Sequence, residues 1–290
     1  MTPLDPFRDG IWLKREDEHQ LGAFKWRGAL ATLEARRPEV VVTASTGNHG
    51  AATAWAARRA GLRAVVFVPE DASATKVSLI TAQGADLRRV GLDMDEAKAA
   101  AKELAEREGW FLFEDGAEPA QFDGYAAIGD ELVDQLSEPP GSVVVPVGNG
   151  ALAIGIFRSL AARAPSAERI AVSAAGAPAM FESWRNGSPT NSSSSATFAD
   201  GLAVRVAIPL AVEALNPLVQ RFELVSELEL ANAVGAYAEV GIRAEGAAAA
   251  PLAVAFREVL PRPVVLIVTG RNIDDALWRR AVETPDSFGA

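Results

Sequence analysis

VVVTASTGNHGAATAWAARRAGLRAVVFVP, residues 40–69, decides the fold. A β-branched run, VVVTAS (40–45), leads through a polar Gly/Ser/Thr/Asn loop into alanine-rich NHGAATAWAARRAG (48–61). Gly61 stands where a helix needs a C-terminal stop, and AVVFVP (64–69) resumes as an apolar run. Strand, helix, strand in this order, with strands apolar throughout, describes a parallel sheet covered on both faces.

The same rhythm extends outward. ASATKVSLITAQG (72–84) reads as a helix closed by glycine, DLRRVG (86–91) as a strand, and DMDEAKAAAKELAEREG (93–109) as a helix with aspartates at its start. FLF (111–113) reads as a strand, followed by a helix around 122–136, the strand VVVPVG (143–148), a helix over 150–163 and the strand IAVSAA (170–175). ELELANAVGAYAEVG and EGAAAAPLAVAFREVL read as helices, and PVVLIVTG (263–270) as a buried strand. The expected class is α/β, with parallel-type sheets flanked by helices. NGSPTNSSSSAT (186–197) is the one low-complexity stretch, a surface loop or a lid.

Composition narrows the function. The 290 residues are 49% hydrophobic, ample for an enzyme-sized core. A net charge of −10 argues against nucleic acid or an anionic membrane as the main partner. The absence of cysteine excludes disulfides, thiolate nucleophiles and iron–sulfur clusters, and only His19 and His49 can supply imidazole. No signal-peptide pattern and no bilayer-length apolar stretch is present, so a cytoplasmic protein is expected.

Ligands of α/β sheets sit beyond the C-terminal ends of strands. Three such ends are rich in Gly, Ser, Thr and Asn: ASTGNHG, PVGNGAL and VTGRNID. In STGNHG, backbone N–H groups with Ser45, Thr46 and Asn48 form a nest for a carboxylate or phosphate, unless Ser or Thr only caps the helix. His49, with no histidine partner, reads as a packing or hydrogen-bonding residue. PVGNGALAIG (146–155) is neither GxGxxG nor a P-loop, but Gly148, Asn149, Gly150 and Ala151 can wrap a single phosphate. Hydrogen bonds to a charged acceptor are worth about 1.5–3 kcal/mol each, so a few suffice.

Of the five lysines, Lys98 and Lys102 look solvated, Lys14 lies in the charged run KREDE, and Lys76 lies on an amphipathic helix. Lys25, in AFKWRGAL, has an apolar setting. If 22–30 is helical, Gly22, Gly28 and Ala29 leave bare space beside the ammonium for a flat ring. Desolvation there favours the neutral amine that forms Schiff bases; the plainer reading is a lysine snorkelling from a helix edge. A Schiff-base lysine, a single-phosphate loop and a carboxylate nest together suggest pyridoxal phosphate. Thr269, at the last strand end, offers a hydroxyl to the pyridine nitrogen, a milder electron sink suited to elimination at Cβ.

On these motifs the chain resembles the fold-type II pyridoxal-phosphate enzymes, which include serine/threonine dehydratases, serine racemases and threonine synthases. TPL (2–4), LKRED (13–17), FKWRGA (24–29), STGNHG (45–50), VPVGNGAL (145–152), TFADGLAV (197–204), AEGAAA (244–249) and TGRNID (269–274) occur in the family's order. The resemblance implies that Lys25 carries the cofactor and later takes the substrate's α-proton, and that Asn48 bonds the ring hydroxyl. It implies that Gly148, Asn149, Gly150, Ala151 and Leu152 bind the cofactor around its phosphate, and that Thr269 faces the ring nitrogen. Ser45, Thr46, Gly47, Asn48 and His49 would grip the substrate carboxylate, with Glu245 near the site. It further implies a two-lobe α/β architecture, with a large cofactor-binding lobe (1–35 and 121–290), a small mobile lobe (36–120), and a homodimer.

Departures from the family pattern modify these expectations. Ser173, Ala175 and Ala179 stand near positions where some relatives bind a divalent cation, so no metal is expected. GYAAIG (124–129) replaces a Gly-x-Gly-Thr segment, and GNGA leans toward threonine synthases. The chain ends soon after TGRNID, so no C-terminal regulatory domain is expected. The resemblance implies an ammonia-lyase acting on L-threonine, L-serine or a related β-hydroxy amino acid. Threonine synthase-like replacement, racemisation and non-catalytic cofactor binding are the competing readings.

Overall fold

A computed structural model describes residues 1–8 and 10–289; the side chains of Thr75 and Lys76, and with them the reading of Lys76, lie outside the described residues. The described chain divides into two compact units, one of Met1–Ala23 with Tyr125–Ala290 and one of Phe24–Gly124.

The first unit holds a six-stranded sheet. Its strands are β1 (Leu4–Arg8), β2 (Ile11–Arg15), β7 (Ser142–Pro146), β8 (Glu168–Ala174), β9 (Arg221–Val225) and β10 (Val264–Val268), in the order β1-β2-β10-β7-β8-β9. The second unit holds β3 (Val40–Ala44), β4 (Arg63–Val68), β5 (Asp86–Arg89) and β6 (Phe111–Leu112), in the order β5-β4-β3-β6. All pairings are parallel except β1 with β2. That antiparallel pair is absent from the sequence expectation. Only two residues separate its strands, far too few for the crossover a parallel pair requires.

The helices are α1 (Trp26–Arg36), α2 (Asn48–Ala60), α3 (Ala74–Thr81), α4 (Met94–Glu108), α5 (Pro119–Gln135), α6 (Ala151–Arg163), α7 (Ala179–Asn186), α8 (Pro209–Leu215), α9 (Glu227–Glu239), α10 (Gly246–Arg257) and α11 (Asp275–Glu283). Their ends follow the local chemistry. Asp93 caps α4 through the N–H groups of Asp95 and Glu96, and Ser226 with Glu229 closes a capping box on α9. The central strands β7 and β10 are buried along their whole length, which matches their unbroken apolar sequences.

Strand order locates the functional regions. In the second unit the chain steps β3, β4, β5 to one side, then returns to place β6 on the other side of β3. In the first unit it steps β7, β8, β9 one way, and β10 joins on the other side of β7. Each reversal opens a crevice at the C-terminal strand ends, where α/β sheets bind ligands. One crevice lies between the β3 and β6 loops, the other between the β7 and β10 loops.

The charged run at Lys14 turns inward: Lys14, Glu16 and Asp17 are all buried. β2 is an interior strand, and Lys14 Nζ donates to Glu131 Oε2 (2.6 Å), Gln135 Oε1 (2.9 Å) and the Thr2 carbonyl (2.9 Å). The Ser-rich segment is tied down as well. Ser192 N–H donates to the Arg205 carbonyl (2.9 Å), Ser194 Oγ to the Gly176 carbonyl (2.9 Å), and Asn191 Oδ1 accepts from Ala207 N–H (3.2 Å).

Candidate active site

In the second unit, Lys25 is the residue that opens α1, with helical backbone angles. The expected helix over 22–30 therefore starts later. Gly22 has φ +66° and lies outside it, where a Cβ would fall 2.5 Å from Asn272 Oδ1. It cannot provide space one turn before Lys25. Nor is the ammonium in a purely apolar setting. Its Nζ is 5.3 Å from the Phe24 ring centroid and makes a short ion pair with Asp115 Oδ2.

The β3 loop runs directly into α2. Gly47 occupies the N-cap of α2, so neither Ser45 nor Thr46 is the capping residue. Ser45 Oγ instead accepts from Gly47 N–H (3.2 Å), shaping the turn. The first-turn N–H groups of a helix have no intrahelical partner and sit at the positive end of its dipole. An anion such as a carboxylate is the ligand that such a terminus favours.

Asp115 is the member that sequence reasoning missed. It follows β6, on the other side of the same crevice, in a segment anchored through Phe113. The Phe113 carbonyl accepts from Thr43 Oγ1 (2.8 Å) and lies 3.2 Å from His49 Nε2. Gln121 Nε2 donates to Asp115 Oδ1 (2.7 Å). Burial alone would raise the Asp115 pKa, but Lys25 and then His49 outweigh it and hold the carboxyl well below the usual range. The available signal was position: Asp115 closely follows FLF, itself read as a strand.

In the first unit, Gly148 and Asn149 follow β7, and Gly150 is the N-cap of α6 with φ +95°. Asn149 Oδ1 accepts the Ala151 N–H (3.1 Å), which closes the turn. A Cβ on Gly148 would lie 2.2 Å from the Gly201 carbonyl oxygen, so this backbone approach requires glycine. Leu152 is buried in the first turn of α6. Across the crevice, at the end of β10, Thr269 is buried and its Oγ1 has no hydrogen-bond partner among the described residues. Glu245 precedes α10; its N–H donates to the Gly270 carbonyl (3.0 Å), and its Oε1 is 2.7 Å from where a Gly270 Cβ would be. Ser173 Oγ donates to the Val147 carbonyl (2.6 Å). Among the described residues no group of three or more His, Asp or Glu is placed to hold a metal ion.

The first unit thus presents a glycine-shaped helix N-terminus and a buried hydroxyl without a hydrogen-bond partner among the described residues, and the second an ion-paired lysine and a helix N-terminus with glycine at its cap. Taken unit by unit, the first offers donors for a phosphate and a ring nitrogen and the second an amine for an aldehyde, the groups that one class of α/β enzymes recruits in a cofactor. The family model described as "Pyridoxal-phosphate dependent enzyme" matches residues 2–270, and the chain belongs to that family. It is 34% identical over 272 residues to the L-threonine ammonia-lyase of Geobacter sulfurreducens, covering 91% of this chain and 67% of that one. Among solved structures, the processed form of threonine deaminase isoform 2 from Solanum lycopersicum superposes with a TM-score of 0.92 at 28% identity, covering 97% of this chain and 87% of that one. Maize serine racemase superposes with a TM-score of 0.88 at 25% identity, covering all of this chain and 94% of that one.

Proposed function

We propose that the protein is an ammonia-lyase converting L-threonine, L-serine or a related β-hydroxy amino acid to a 2-oxo acid and ammonia. The observation that carries this reading is Thr269: a buried, unpartnered, neutral hydroxyl at a crevice of a pyridoxal-phosphate family member. A hydroxyl donates to a ring nitrogen without protonating it, which suits elimination at Cβ. The similarity to an L-threonine ammonia-lyase supports the substrate class.

Pyridoxal phosphate supplies, when bound, an aldehyde that joins an amino group and a ring that spreads the charge left at Cα. In this reading Lys25 carries the cofactor, Asn48 meets the ring hydroxyl, and Gly148, Asn149, Gly150, Ala151 and Leu152 hold the phosphate end. Ser45, Thr46, Gly47, Asn48 and His49 receive the substrate carboxylate, using the α2 terminus. Lys25 Nζ takes the α-proton, and Glu245 supports the strand end beside Thr269. A homodimer in the cytoplasm belongs to the same reading; light scattering during size exclusion checks the oligomer.

A substrate panel on cofactor-loaded protein tests the activity. L-threonine should yield 2-oxobutanoate and L-serine pyruvate, each with ammonia. Phosphate release from O-phosphohomoserine, or α-proton exchange without 2-oxo acid, would replace the lyase reading with a synthase or a racemase. Gly148→Ala tests the phosphate loop. Its Cβ must push the loop from the Gly201 carbonyl, and loss of one charge-assisted bond of about 1.5–3 kcal/mol weakens cofactor retention by roughly 10- to 150-fold, read by equilibrium dialysis.

A further inference from the structure

His49 lies in the first turn of α2 with its ring buried. Its Nε2 is 3.2 Å from the Phe113 carbonyl, an oxygen that only accepts, so Nε2 carries the hydrogen. Nδ1 then turns its lone pair toward Asp115 Oδ1, 3.6 Å away. Burial, with the positive charge of Lys25, outweighs the pull of Asp115 and keeps the imidazole below its ordinary pKa. The neutral ring therefore leaves two lone pairs facing each other, an arrangement one proton short of an ion pair.

Asp115 is well fixed for this role. Lys25 Nζ holds Oδ2, and Gln121 Nε2 holds Oδ1 at 2.7 Å. The Gln121 carbonyl oxygen accepts the Gly116 N–H (2.8 Å), which sets the orientation of the amide. Among the described residues, the charged groups acting on His49 are Asp115, Lys25 and Glu114.

We propose that His49, paired with Asp115, is the acceptor for the proton that Lys25 gives up. When the Lys25 ammonium becomes a neutral amine, one N–H bond breaks at Nζ and one forms at His49 Nδ1. The positive charge moves from one end of the Asp115 carboxylate to the other, and the three groups keep a net charge of zero. Such a unit lets a lysine alternate between charged and neutral forms without leaving Asp115 unpaired. The functional meaning rests on Lys25 being the cofactor lysine; the proton sharing itself does not.

The test is an NMR titration of the imidazole C2 protons in the cofactor-free protein. With only two histidines, His49→Gln assigns the signal. Lys25→Met removes the ammonium, and the His49 midpoint should rise by about one to three pH units. Lys25→Gln repeats the measurement should the first variant not fold. Lys25→Arg should keep the wild-type midpoint, and Lys25→Met with Asp115→Asn should lose the rise. An unchanged midpoint in Lys25→Met, an equal rise in the double variant, or a rise in Lys25→Arg would overturn the proposal. Cofactor attachment to wild-type protein, read by adduct mass after borohydride, separates the two readings. Absent attachment sinks the function proposed above, whereas normal attachment with an unmoved His49 sinks only the proton sharing.

Discussion

Lys25→Ala protein mixed with pyridoxal phosphate is expected to stay colourless, to show no adduct mass after borohydride, and to lose turnover of L-threonine by more than about 10³-fold. A positioned proton-transfer group alone contributes about 10²–10⁴-fold, and the same amine is assigned the covalent attachment. Absorbance, intact mass and 2-oxobutanoate release check the three outcomes separately. A variant that still gains the adduct would place the attachment at another lysine. The variant also strips Asp115 of its ion-pair partner. Because that pairing depresses the Asp115 pKa, its stabilisation is fully present above the unfolded carboxylate value and is lost as pH falls through the folded one. The stability gap between wild type and Lys25→Ala should therefore narrow in acid, as read by urea melts at about pH 7 and about pH 3.

Lys14→Ala should be among the most destabilising substitutions in the chain, at about 3–5 kcal/mol. The lysine is fully buried, and its removal leaves the largely buried Glu131 carboxylate without the cation 2.6 Å away. The Thr2 carbonyl and Gln135 Oε1 lose a charged donor as well. Lys14→Met combined with Glu131→Leu should recover most of the loss, because an apolar pair of similar volume has no charge to solvate. Chemical denaturation of the two variants gives the comparison. A single variant within about 1 kcal/mol of wild type would mean that water reaches Glu131.

Lys14 also shows where local reading stops. Its neighbours in the chain, KREDE, show only a run of charges. Its partner Glu131 is 117 positions away on α5, and only the folding of α5 against an interior strand makes the charge buried. Lys25 repeats the lesson more mildly. Its aromatic and small neighbours drew attention to it in the sequence, but its ion pair with Asp115 spans 90 positions. Of the helical spacing expected around it, Gly28 and Ala29 follow on α1, but Gly22 takes a left-handed conformation and lies outside the helix.

From sequence alone came the α/β class, the alternation of elements, the caps at Gly61, Asp93 and Gly109, and the loops that follow β3, β7 and β10. Each of these depends on contacts within a turn or two of chain, where hydrophobic period, glycine conformation and capping groups act directly. Tertiary structure alone decided the strand order, and with it which strand ends flank each crevice. It brought Asp115 to Lys25 and His49, and it left the Thr269 hydroxyl buried without a partner. Those outcomes depend on which distant segments share a sheet edge, and a period of two or 3.6 residues carries no record of that.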